Sequence, residues 1–492
     1  MSIDLLLLLF TTLLLLVWYV LYGRPSTEPP GPWGLPLVGY LPFLGKKMNL
    51  TINNLAKRYG NVFQLRMGSR KVVVISGQRC VREALLRRGL EFAGRPNFYS
   101  YTAVSKFGFS DMNPSFRMYK KQTMKAFGEF TKTRRNELQQ VAHNSVNMLM
   151  KKFKEANNMP FDPKRVLDRV VCTIMGYICY GEFFNIEDEL VTALLDKAQD
   201  FATFIAFGLV CDFLPWSKFL IRHKLRRLEE LLCVFNKYAD KIAMAHIGNY
   251  DGENMRSMCD IFRKVAEGMN EEERKVLKVD DDMLKNHLSS IFGAGFSTTA
   301  GTLKYAILIM AIYPEVQTKV QLEIDSVIGG DRYPAFDDES RLVYTSAVVT
   351  EIYRYHSLAA LGVTHSTTCN TIFEGYFIRK DTPVIFNMYS AHRDDTVFTD
   401  PERFMPERFI RLDGTFNCTL AQYVSPYSIG FRRCAGEPVA RLEVSVFFAT
   451  ILQQCRIESA PDHPLDLDNY IMTFGIYHKP FKVIFRSRFG EW

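Results

Sequence analysis

Beyond a proline-rich stretch near the N-terminus, the 492-residue chain has no obvious linker, repeat or low-complexity tract that would cut it into pieces. A prior of one domain per roughly 150 residues would ask for about three domains, so length alone leaves the count open. Ten cysteines are scattered without paired spacing. That excludes a disulfide framework and suits reduced thiols in a reducing compartment. The net charge is +8, yet no block of Lys and Arg stands alone with interleaved aromatics, which argues against nucleic acid as a partner. An anionic membrane surface and an acidic protein partner fit that balance better. Asn49-Leu-Thr51 and Asn417-Cys-Thr419 match the glycan acceptor pattern, but a cytosolic face leaves them unmodified, as chance matches.

The N-terminus lacks the marks of a cleaved secretory signal. Met1-Ser-Ile-Asp4 carries no positive charge, and Trp18-Tyr-Val-Leu-Tyr22 offers no small residues to a peptidase. What is there is Leu5 to Tyr22, almost all apolar and within the ~17–25 residues that span a bilayer as a helix. Trp18, Tyr19 and Tyr22 sit where an interfacial belt would, and Arg24 follows, so the bulk of the chain is expected on the cytosolic side. Pro29-Pro-Gly-Pro-Trp33-Gly34 then reads as a stiff hinge. No Arg/Ser-rich amphipathic presequence argues for mitochondria. Beyond residue 41, helical periodicity dominates between about 110 and 360. Strands are predicted at Val62–Met67, Val72–Ile75, Tyr376–Ile378 and Lys482–Arg486, which makes the chain mainly α with a small β region.

Tyr427-Ser-Ile-Gly430-Phe-Arg432-Arg-Cys434-Ala-Gly436 holds one cysteine between glycines, beside two arginines and just before a helical pattern. Gly430 and Gly436 allow tight turns and close backbone approach. Arg432, Arg433 and the start of the following helix are expected to favour thiolate over thiol. A catalytic cysteine would want a histidine base, and none is near in sequence. A zinc site would want a neighbouring ligand, and Cys418 and Cys455 are outside that spacing. A single thiolate suits the axial position of a haem. With this segment the chain resembles the cytochrome P-450 family, whose signature Phe-x-x-Gly-x-Arg-x-Cys-x-Gly it matches except for Tyr427. Two further motifs follow the family's order. Glu351-x-x-Arg354 precedes Pro406-Glu-Arg408-Phe409, and these are expected to form a buried charge network. Ala294-Gly-Phe-Ser297-Thr298 lies in a long apolar helical run, where the family opens its central helix above the haem.

The resemblance implies a membrane anchor over 1–24, a proline-rich hinge over 25–40 and one haem domain over 41–492. It implies haem b held by Cys434, with Arg432, His365 and Lys120 against the propionates and Phe116 in place of the usual Trp. Thr298 falls on the threonine that serves oxygen activation. The acid expected beside it is Ser297, whose hydroxyl relays protons only through water, so weaker proton delivery is expected. The activity implied is insertion of one oxygen atom from O₂ into a lipophilic xenobiotic, steroid or other neutral lipid. NADPH supplies electrons through cytochrome P-450 reductase, possibly with cytochrome b5, at the endoplasmic-reticulum membrane. The rivals are a haem-thiolate isomerase acting on lipid hydroperoxides and a non-enzymatic haem sensor. Lys120, Lys121, Lys125, Arg433 and Arg441 are candidates to receive the reductase. The pocket is expected from Phe98–Tyr101 to Phe109, Phe201–Phe207, Ile291–Ala294, Leu358–Leu361 and Met472–Phe474, with few charges and no well-placed Lys or Arg for a carboxylate.

Overall fold

The computed structural model of the protein describes residues 3–22, 27–104, 108–181, 191–192, 195, 210–247, 250, 252–277 and 279–490. The longer helices are α1 (Ile3–Tyr22), α2 (Met48–Tyr59), α3 (Pro114–Thr133), α4 (Arg135–Glu155), α5 (Lys164–Tyr180) and α6 (Arg222–Ile247). They continue as α7 (Met258–Glu267), α8 (Asp281–Ile312), α9 (Pro314–Val327), α10 (Val343–His356) and α11 (Glu437–Gln454). Among the strands, β1 (Val62–Met67) and β2 (Arg70–Ile75) form a hairpin with Val62 opposite Ile75. β6 (Pro383–Phe386) joins β2 in parallel and β3 (His365–Ser366) closes the sheet on the other side of β6. Three two-stranded ladders complete the β region. They are β4 (Thr371–Phe373) with β5 (Tyr376–Ile378), β7 (Cys455–Ser459) with β10 (Val483–Ser487), and β8 (Tyr470–Met472) with β9 (Ile476–His478).

α8 is the central element. Asp280 caps its start by accepting from the Met283 N–H at 2.9 Å, and Pro314 follows Tyr313 where the helix stops. By length and composition α8 is the one described helix able to cross a membrane, but 72% of its apolar window is buried inside the protein. A helix that is apolar all round is buried, and here neighbouring helices cover it. Gly295 permits one such contact, because a Cβ there would lie 2.5 Å from Met175 Cε of α5. In α1 the apolar window that meets the same test, apart from length, is Asp4–Leu15.

Beneath this helix the expected charge network is present. Arg354 donates Nε to Glu351 Oε2 (2.7 Å) and Nη2 to Oε1 (2.8 Å) in a bidentate fork. Its Nη1 reaches the His392 and Pro401 carbonyls, both at 2.8 Å, and Nη2 the Arg403 carbonyl at 3.0 Å. Arg408 Nε adds a contact to Glu351 Oε1 at 3.3 Å. Both Glu351 and Arg354 are fully buried. The network ties α10 to the segment that leads into the cysteine loop. Asn49, one of the two glycan matches, is also buried, with Nδ2 on the Tyr470 hydroxyl at 3.1 Å, so no glycan reaches it.

One buried acid stands apart from this network. Glu443 of α11 is 2% exposed, its Oε1 has no partner, and Thr299 of α8 is its polar neighbour. Burial pushes its carboxyl up to about 8, so it is a neutral acid at pH 7. A carboxyl raised in the folded state contributes stability that is complete below its ordinary value and is lost as the pH climbs through the folded one. Thermal unfolding of the wild type should therefore weaken between about pH 5 and pH 9, and Glu443→Gln should flatten that slope. Superimposable pH profiles for the two proteins would refute this.

Candidate active site

The cysteine loop is built by one glycine and one lysine. Gly430 has φ +75°, and a Cβ there would stand 2.0 Å from the Leu85 carbonyl oxygen, so no other residue fits. Gly436 has an ordinary φ, with only Cys434 Sγ at 4.0 Å from a Cβ built on it. Within the chain itself, the tight turn needs glycine at 430. The Cys434 N–H donates to the Tyr427 carbonyl at 2.9 Å and closes the loop. Tyr427, the departure from the family's Phe, is accommodated because its hydroxyl donates to that of Tyr353 at 2.9 Å.

The electrostatic expectation for the sulfur needs correction. Arg433 is turned to Glu437, and Arg432 gives Nε to the Ala93 carbonyl (2.7 Å) and Nη2 to that of Ser110 (2.8 Å). Arg432 is therefore not the cation that favours the thiolate, although Arg433 still attracts it through its charge. Lys120 takes that part: its Nζ donates to the Phe431 carbonyl and, at 2.8 Å, to that of Arg433, on either side of the loop. Burial raises the Cys434 thiol, while the Gly436 and Glu437 amides at the start of α11 and the Lys120 charge pull it down. Even so, Cys434 keeps exposed surface. A side chain that is both accessible and strongly desolvated faces an internal space rather than bulk water.

Four basic groups converge beside the loop. Asn113 caps α3, accepting from the Phe116 N–H at 2.8 Å, and so sets Phe116 and Lys120 one turn apart on one face. The Arg432 guanidinium lies 3.7 Å from the centre of the Phe116 ring. Arg95, which the sequence motifs did not single out, reaches the Thr364 carbonyl at 2.9 Å and that of Val363 at 3.1 Å. His365 holds the Phe92 carbonyl at 2.7 Å through Nδ1, so its Nε2 is free to face the cluster. Burial depresses all four, and repulsion from neighbouring cations adds to it at Arg432, Lys120 and His365: Arg95 falls to about 10, Arg432 to about 9, Lys120 to about 8 and His365 well below its ordinary value. The acid acting on Arg95 and Arg432 is Asp111, and Arg95 Nε and Arg432 Nη1 are buried without partners. This excess of buried donors suits a dianion. A haem's two propionates beside an accessible sulfur match that chemistry, so the residues fit the group.

The remaining predicted residues are on α8, which runs without interruption through them. Thr298 Oγ1 donates to the Ala294 carbonyl at 3.0 Å, an ordinary back-bond within a helix. Ala294 is exposed in the middle of this otherwise buried helix, which places the internal space beside it. Ser297 is turned to the Tyr477 phenol of β9. Of the predicted pocket residues, Ile291, Leu358, Met472 and Phe474 keep partial exposure, whereas Phe98, Tyr101 and Leu361 are core. Phe201–Phe207 is outside the described residues. Among the candidate reductase contacts, Lys121 is paired with Glu273 (3.0 Å), Arg433 and Arg441 share Glu437, and Lys125 is exposed.

Comparison with known proteins agrees with this geometry. The family model for cytochrome P450 matches residues 29–485. Cytochrome P450 1A1 of Cavia porcellus is 31% identical over 479 residues, covering 94% of this chain and 93% of that one. Cytochrome P450 1A1 of Felis catus is 32% identical over 457 residues (89% and 88%), and cytochrome P450 1A2 of Rattus norvegicus is 31% identical over 493 residues (96% and 95%). The cysteine loop, the buried Glu351–Arg354 pair and a match over nearly the whole length lead to one conclusion: the chain belongs to the cytochrome P450 family.

Proposed function

We propose that the protein is a membrane-bound monooxygenase of neutral lipophilic substrates, with Cys434 as the axial ligand of its haem. The family brings haem b with an axial thiolate and electrons delivered through a reductase; when bound, that haem supplies the redox chemistry of oxygen insertion. The observation that carries the assignment to Cys434 is its accessible sulfur, set beside four convergent basic groups. Arg95, Arg432 and Lys120 would hold the haem's propionates, and the Phe116 ring supports the Arg432 guanidinium. His365 already spends its Nδ1 proton on Phe92, so a carboxylate at Nε2 would return the second proton to its ring. Thr298 presents a hydroxyl at the internal space beside Ala294, able to accept a proton from water and pass one on. Ile291, Leu358, Met472 and Phe474 give that space an apolar wall without a cation, which selects for neutral lipids.

The membrane reading rests on α1 and on an apolar apron. Leu35 and Leu37 in the hinge and Phe43 after it are exposed, as are Trp216, Phe219 and Leu220. The two segments meet at the β1–β2 turn, where Gly39 pairs with Met67 and the Ser69 N–H donates to the Phe213 carbonyl at 2.9 Å. Such a patch rimmed by charge suits an endoplasmic-reticulum bilayer. Lys125 and the loop around Cys434 are the face for the reductase, with cytochrome b5 as a second donor.

The test is reconstitution in vesicles with reductase. NADPH oxidation should depend on reductase and be stimulated by a lipophilic substrate that is hydroxylated in return. Turnover of a lipid hydroperoxide without NADPH, in place of that activity, would support the isomerase instead.

A further inference from the structure

A cleft opens between α10 and α11, next to the cysteine loop: Pro426, one residue before Tyr427, is part of its lining. Its volume is about 420 Å³, within the roughly 300–1,000 Å³ of small-molecule sites. Positions 343, 346, 350 and 353 of α10 line it, spaced i, i+3, i+7, i+10 along one helix face. Phe416 and Cys418 join from the segment that leads into the cysteine loop. None of Ile291, Leu358, Met472 and Phe474, the wall of the proposed substrate space, belongs to this lining. The cleft is a second, separate space.

Its two ends differ in charge. At one is Arg441 of α11, whose Nε donates to Glu437 at 2.9 Å. Neither of its Nη atoms has a hydrogen-bond partner among the described residues. Burial opposes the Arg441 charge more than any other single influence, so those free donors are partly withdrawn from water. Tyr427 gives its O–H to Tyr353 at 2.9 Å, which leaves one proton of the pair without an acceptor. The Ser445 hydroxyl, also in the lining, has no partner among the described residues. These groups are donors, and an anion would satisfy them. At the other end Glu339 is exposed to water, with its carbonyl accepting from the Ser346 hydroxyl at 3.2 Å. Ser346 and Tyr353 are seven residues apart, roughly 10 Å along the helix. Between the ends, Val343, Val349 and Val424 offer apolar surface.

We propose that this cleft is a binding site for a compact apolar monocarboxylate. The carboxylate takes the free Nη donors of Arg441, and the apolar body lies along Val343, Val349 and Val424. Glu437 loses nothing by this, because Nε and the two Nη atoms are separate donors of one guanidinium. A second carboxylate on the ligand would meet Glu339, so one acid group is the fitting number. The site goes beyond the monooxygenase reading and uses none of its residues for substrate.

Cys418 lines the cleft and is an exposed thiol, so its alkylation by iodoacetamide reports occupancy in place. The full-length, haem-loaded protein is labelled and each cysteine is followed by mass spectrometry, with 2-naphthoate as the probe. About 1 mM of it should slow alkylation of Cys418 about threefold, as for a Kd of about 0.5 mM. Cys233 and Cys369, exposed thiols outside the lining, should react at unchanged rates. The uncharged 2-naphthamide and the cationic 2-naphthylmethylamine should protect less than the acid. Arg441→Met should bring the acid down to the level of the amide. Val343→Trp, which fills the cleft and keeps Arg441, should abolish protection by all three. If Arg441→Met loosens the fold, read as faster alkylation of the buried Cys172, Val343→Trp decides. No protection by 2-naphthoate, equal protection by the amide, stronger protection by the amine, equal slowing at Cys233 and Cys369, or protection that survives Val343→Trp would each overturn the site.

Discussion

Arg354→Met should cost about 3–5 kcal/mol, the range for removing one partner of a buried ion pair. The upper end is expected here because the loss is not confined to the fork on Glu351. Arg354 also satisfies the carbonyls of His392, Pro401 and Arg403, and methionine leaves them unpaired in the interior. Glu351 would keep the Met405 N–H (2.8 Å) and Arg408, too little to balance a fully buried carboxylate. Arg408→Met should be milder, since the bidentate pair survives it. Glu351→Leu with Arg354→Met should recover part of the single-variant loss, because two apolar side chains strand no charge. Chemical unfolding of the haem-loaded proteins measures all three, and an Arg354→Met protein within about 1 kcal/mol of wild type would sink the account.

The same network shows what the sequence makes legible. Glu351 and Arg354, three apart on one helix, were read as a buried network only through the family resemblance, whereas Cys434 lies between Gly430 and the start of α11 and stood out by its local pattern. The strands at Val62–Met67 and Tyr376–Ile378 were legible for the same reason, and β2 only began two residues earlier than expected. Arg95 was not legible, because it acquires its role from carbonyls 268 and 269 residues away. Arg432 was read as a neighbour of the sulfur, but remote partners at Ala93 and Ser110 take it instead, whereas Arg433 pairs with Glu437 and still acts on the sulfur through its charge. Phe98 and Tyr101 carry the same apolar signal whether they line a cavity or fill a core. Their rings pack 5.2 Å apart in the core, a distinction that periodicity does not contain. Glu443 is a lone acid before the apolar run Val444–Leu452, and that signal could have been followed.

Cys434→Ser should abolish the red-shifted Soret band of the reduced carbon-monoxide complex and bring NADPH-dependent oxygenation to background, while leaving the fold intact. The loop does not depend on the sulfur for its shape. Gly430 against Leu85, the Cys434 amide on Tyr427 and the Lys120 clamp on two carbonyls involve backbone atoms, and serine keeps them all. What serine lacks is acidity. A lysine and two helix amides assist a thiol against burial, but a hydroxyl stays protonated in the same field and is a poor ligand. Haem content should fall less than the band, because Arg95, Arg432, Lys120 and His365 would still hold its propionates. Measured side by side, retained haem with a lost band separates the role of the sulfur from that of the basic cluster. Persistence of the band would move the ligand to another cysteine. Among the described residues Cys233, Cys369 and Cys418 are the other exposed thiols, and none has convergent buried cations at its side.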